Sequence, residues 1–117
     1  MKTTIILTFL FSVTLSIGQE VSQDSLKKLF NQAHFHSTNS KGDSIKGIQL
    51  SNLYLSLDPK SPEAYNNRGL AYQRCKEYRL AIMDFEKARK IDSQNVKPLY
   101  NIGNANYNSK NYNLAIK

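Results

Sequence analysis

Displaced by 34 positions, the second half of this 117-residue chain falls on itself. Asn67, Gly69, Ala71, Lys76, Tyr78, Leu80, Ala81 and Ile82 recur as Asn101, Gly103, Ala105, Lys110, Tyr112, Leu114, Ala115 and Ile116, eight identities in sixteen aligned positions. A period of roughly 20–50 residues marks a solenoid or array, whose units each bury an apolar face only by stacking on a neighbour. A fainter copy lies upstream, where Gly47-Ile48 precedes Ala81-Ile82 and Leu57-Asp58 precedes Ile91-Asp92 by the same interval. It is worn: Ser44 stands where Tyr78 does and Phe35 where Gly69 does. The chain therefore reads as about two and a half units: a degenerate one within 19–61, a good one over 62–95 and an incomplete one over 96–117.

Each unit reads as two helices. Ser61 suits an N-cap, Pro62 the first helical position and Glu63 the positive helix start. From there Tyr65, Arg68/Gly69 and Tyr72 follow one face, and a turn is expected at Cys75-Lys76-Glu77. A second helix carries Tyr78, Ala81/Ile82, Phe85, Ala88 and Ile91 as a stripe. Charges fill its other side, with Glu86 and Lys90 spaced as an i, i+4 pair. Asn95 is placed to cap the next helix, whose Pro98 falls in the opening turn. The first unit's helices are expected near 23–37 and 44–56.

The period, the pattern Tyr65-x-x-Arg68-Gly69-x-x-Tyr72 and the following Ala81-x-x-x-Phe85 resemble the tetratricopeptide repeat. The resemblance runs from Lys28 to Lys117. It implies an all-α, right-handed solenoid of helix-turn-helix units in which small residues such as Gly69, Ala81 and Ala88 let backbones approach. Arg68 departs from the leucine, Ser93 from the proline and Asn106 from the tyrosine that the pattern prefers. The family also implies that first helices line a concave surface. One subgroup clamps a terminal carboxylate there; Asn67 and Lys97 fall on clamp positions, but Gln32, His36 and Asn101 depart from it. Two of five is not a clamp.

Residues 1–18 have the form of a secretory signal peptide. Lys2 precedes an uncharged apolar run from Thr3 to Ile17, and Ser16-x-Gly18 forms a small-residue exit. The run is short for a span of about 20 apolar residues, although a retained anchor is the other reading of the same stretch. An exported location (periplasmic, secreted or envelope-associated) is expected, with no membrane span after signal removal. Without Lys2, 15 basic residues face 9 acidic ones, a net +6 against +7 for the whole chain. The bases are dispersed, so no nucleic-acid arm is indicated. Cys75, the one cysteine, has no internal partner, leaving packing or a partner chain to supply stability. The sequence stops at Lys117, inside the expected second helix of the third unit, which reads as a fragment of a longer product.

Chemistry is sparse. His34 and His36 point apart on a helix, and no further ligand stands near them, so no metal is expected. Cys75 lacks a base, and no glycine-rich phosphate loop occurs. Asp84 and Glu86 read as solvated members of a charged face. The tyrosines read as packing residues before they read as base-stacking ones. No catalytic residues, cofactor or metal are expected.

Function is therefore sought in shape. Asn66, Leu70, Gln73 and Arg74 in one unit, and Lys97, Tyr100, Asn104 and Tyr107 in the next, lie one step round from the packing stripe. They suit a groove for an extended peptide or protein partner, or are plain solvent exposure. The asparagines between Asn95 and Asn113 likewise line such a groove or are compositional drift. A non-catalytic interaction scaffold is the expected function; the alternative is the N-terminal regulatory region of a longer enzyme or sensor.

Overall fold

The computed structural model describes residues 21–116; the expected signal peptide, Gln19 and Lys117 lie outside them. Local chemistry sets the helix starts. The Ser22 hydroxyl accepts from Ser25 N and opens α1 (Gln23–Thr38). Asp43 accepts from Ile45 N and Lys46 N and opens α2 (Ser44–Leu57). Ser61 accepts from Ala64 N ahead of Pro62, opening α3 (Pro62–Arg74). Each bond satisfies an amide that a helix start leaves without an intrahelical partner. α4 (Tyr78–Ile91) begins without a side-chain cap. Before α5 (Lys97–Ile116), Asn95 Oδ1 accepts from Lys97 N at 3.0 Å.

The α3–α4 turn closes through Lys76, which has φ 62°. Lys76 N and Glu77 N donate to Gln73 O and Tyr72 O, so the last carbonyls of α3 are satisfied. A left-handed conformation costs a residue with a side chain about 1–2 kcal/mol, and these bonds help to hold it.

α1 pairs with α2 and α3 with α4; α2 packs on α3, and α4 on α5. The first helices α1, α3 and α5 lie side by side, α1 against α3 and α3 against α5. This is an all-α stack in which each unit touches only its neighbours. Its core is built largely of alanine: Ala71, Ala81, Ala88 and Ala105 are fully buried, and Ala81 and Ala105 cluster with Phe85, itself fully buried.

Four expectations need correcting. Gly69 does not serve a backbone-to-backbone approach. The Phe85 ring sits on it, 2.5 Å from where a Cβ would stand. Asp84 is not solvated: it is 5% exposed and holds Arg68 in a bidentate pair, Nε to Oδ2 at 2.8 Å and Nη2 to Oδ1 at 2.7 Å. Arg68 Nη1 also donates to Asn52, and the guanidinium lies over Tyr65 and Tyr72. That ion pair occupies the place where the repeat pattern prefers leucine. Glu86 pairs with Arg89, at 3.3 Å, in place of Lys90. Finally, α5 runs unbroken through 109–111, the counterpart of the 75–77 turn. Tyr112 instead reaches back to Tyr78, with ring centroids 6.1 Å apart, and under Lys76.

Candidate functional site: a groove along the first helices

The side-by-side packing of α1, α3 and α5 leaves a trough whose walls are their non-packing faces. On α3, Asn66, Asn67, Leu70, Gln73 and Arg74 recur at helical spacing along it. Leu70 stands between two cavities. One, of about 610 Å³, is enclosed by Phe30 and His34 of α1, by Glu63, Asn66 and Asn67 of α3, and by Lys97, Tyr100 and Asn101 of α5. The other, of about 330 Å³, lies between Thr38, Gln73, Arg74 and Asn108.

Polar side chains tie the floor together across the helices. His34 Nδ1 donates to Asn67 Oδ1 at 3.1 Å, joining α1 to α3. Asn101 Nδ2 donates to Asn66 Oδ1 at 2.8 Å, joining α3 to α5. Arg74 Nη1 donates to His36 O at 3.2 Å, near the C-terminal end of α1, where helix carbonyls lack intrahelical partners. Three buried atoms at these cavities are left over: Asn67 Nδ2, on a residue 4% exposed, Gln73 Oε1, and Ser37 Oγ beside the smaller cavity have no partner. An orphaned buried amide is costly, on the order of 1–3 kcal/mol, so each is a place where an incoming polar group gains more than it would from water. A backbone carbonyl suits the first and an N–H the second.

Six of the eight residues expected from sequence line these cavities: Asn66, Leu70, Lys97 and Tyr100 the larger, Leu70, Gln73 and Arg74 the smaller. Asn104 and Tyr107 line neither, and Tyr107 is exposed. The α1 wall was missed. His34 gave a signal in being one residue short of a full repeat from Asn67, close enough to meet it across adjacent helices. Phe30 gave none. A third cavity of about 360 Å³, also unforeseen, lies between Leu26, Phe30, Tyr54 and the start of α3. There burial, with Asp58 beside it, raises the Tyr54 hydroxyl above its ordinary range.

No group of three or more His, Cys, Asp or Glu side chains able to hold a metal occurs among the described residues. None of the described helices is long and apolar enough to cross a membrane. Asp84 is the one strongly buried carboxyl here, and it faces Arg68 and not the groove. Burial pushes it above its ordinary range, against the pull of the Arg68 bonds; the same bonds raise Arg68. With both oxygens accepting from the guanidinium, the carboxyl is occupied structurally.

Residues 62–95 match the family model described as tetratricopeptide repeat. The matched segment is α3, α4 and the loop after them, and the all-α stack around it is a tetratricopeptide-like helical repeat. No curated protein matches the chain.

Proposed function

We propose that this chain is a non-catalytic interaction scaffold that holds an extended segment of a partner protein in the groove along α1, α3 and α5. Repeats of this family generally mediate contacts between proteins. The observation that carries the reading is Asn67, a buried amide in the groove wall whose Nδ2 is unpartnered while its Oδ1 is held by His34. A preorganised donor of this kind gains a bond on binding without losing one to solvent. Lys97 and Tyr100 beside it favour acidic or aromatic residues in the partner, in keeping with the chain's positive charge.

A peptide-library screen tests this with wild type and an Asn67→Ala/Lys97→Ala/Tyr100→Ala variant. Alanine is sound at position 67, because Ala33 is its counterpart in the first unit. Acidic or aromatic peptides should bind wild type, lose about tenfold or more in the variant, and weaken with salt as exposed charges are screened. Equal binding by both proteins would put the partner elsewhere. The reading also takes residues 1–18 as a cleaved export signal. Intact mass of protein from an exporting host should then begin at Gln19, and a mass retaining Met1 would favour an anchor.

A further inference from the structure

The first unit departs from the second where α1 meets α2. By the 34-residue register, Phe30 and Tyr54 stand where Ala64 and Ala88 stand in α3 and α4. Those alanines are packed to 2% and 0% exposure. The two rings are only half-buried and meet edge to face, with centroids 5.2 Å apart. Beside them, completed by Leu26, lies the cavity of about 360 Å³. A small residue in the place of Tyr54 belongs to the repeat; the aromatic pair and its cavity belong to this chain.

The lining specifies an occupant. Leu26, Phe30 and Tyr54 give apolar walls, and a concave site of this size with few polar groups suits a buried apolar group. The rim carries one base, Lys27, and one acid, Glu63, whose charges offset, so the site selects no charge. The Tyr54 hydroxyl donates to Asp58 Oδ2 at 3.3 Å and needs no partner from a ligand. The cavity is also continuous with the groove. Phe30 and Glu63 wall both it and the larger groove cavity. The Phe30 ring stacks on His34, with centroids 6.4 Å apart, and His34 in turn holds Asn67. Glu63 precedes Asn67 by four residues of helix, about 6 Å, which is the length of about two residues of extended chain.

We propose that this cavity is an anchor subsite of the groove. It takes a bulky uncharged side chain of the leucine or phenylalanine kind, carried by the partner about two residues from the one whose carbonyl reaches Asn67. The inference rests on the groove reading and adds to it a residue class and a place.

The first probe is N-acetyl-phenylalaninamide, titrated against the chain and followed by NMR on the Phe30 and Tyr54 rings. It should bind saturably in the millimolar range, and N-acetyl-alaninamide about tenfold more weakly. Leu26→Glu puts a carboxylate into the apolar wall, near the positive start of α1 where it suits the helix. It should abolish binding while thermal melts show the protein folded. Asn67→Ala/Lys97→Ala/Tyr100→Ala should bind this probe as wild type does. The second probe is the peptide library. Peptides selected by wild type should carry Leu or Phe at a fixed position, and Leu26→Glu should weaken them about tenfold. Ring signals unmoved by the first probe would overturn the inference. Selected peptides that bind Leu26→Glu undiminished would also overturn it, and would leave the groove itself standing. First-probe binding with no peptide selected would make the cavity a small-molecule pocket, overturning the partner assignment together with the groove reading.

Discussion

Gly69 and Gly103 hold the same place in successive units, yet a Cβ would stand 2.5 Å from the Phe85 ring on one and meet nothing within 4 Å on the other. Alanine gains about 1 kcal/mol over glycine in a helix interior, and overpacking a buried contact costs about 1–3 kcal/mol. Phe85 is fully buried and cannot swing away. Gly69→Ala should therefore lower the melting temperature and Gly103→Ala raise it; a rise in both would show that the ring contact is absent. Arg68 and Asp84 allow a second test. A carboxyl raised by burial contributes stability in full below its unfolded pKa and loses it as pH rises through the folded one. For Asp84 the sign is that of a raised group, so burial makes its ionised form a net cost that the Arg68 bonds only partly offset. Asp84→Ala alone strands Arg68 and should destabilise by about 3 kcal/mol. Arg68→Leu with Asp84→Leu should be neutral or stabilising by about 1–4 kcal/mol. Denaturant titration at pH 7 distinguishes these; a double variant as unstable as the single one would show that the pair itself holds α3 and α4 together.

At the scale of helices, what the sequence made legible is what neighbouring residues decide. The bounds of α1 and α2 fall within a residue of expectation, and Ser61-Pro62 marks the start of α3, because hydroxyl, carboxylate and proline signals act over three or four positions. Asp84 was misread for the opposite reason. A carboxylate on a charged helix looks solvated until the helix across from it is known, although Arg68 in a leucine position was a clue. α5 was misread because Ser109-Lys110-Asn111 sits in the register of the Cys75-Lys76-Glu77 turn yet stays helical. The difference is tertiary: α3 has α4 to pack against beyond its turn, whereas the far end of α5 rests on Tyr78 through Tyr112. Lys110→Gly separates the two conformations. In an unbroken helix glycine costs about 1 kcal/mol, whereas in a left-handed turn like that of Lys76 it relieves about 1–2 kcal/mol. The structure predicts destabilisation and a loss of helical signal; a gain in stability would show that α5 breaks there. The groove was legible on α3 and α5, whose repeat register is clear, and not on α1, whose unit is worn.

Across the whole molecule, stability should follow position in the stack. α3 touches every other helix: α1, α2, α4 and α5. α5 touches only α3 and α4, with Leu99 and Gly103 bare on its outer side. In a stack held by nearest-neighbour interfaces, an end unit opens more easily than the middle, because fewer interfaces are lost when it does. Native-state hydrogen exchange should therefore be slowest in α3 and α4 and faster in α5, fastest past Asn108. Uniform protection along the chain would contradict the stack as the source of stability. A groove ligand bears on the same gradient. It would bridge α1, α3 and α5, so opening α5 would then also break ligand contacts, and binding stabilises whatever state retains it. Saturating peptide should slow exchange in α5 by a larger factor than in α4, which contributes no lining residue to either groove cavity.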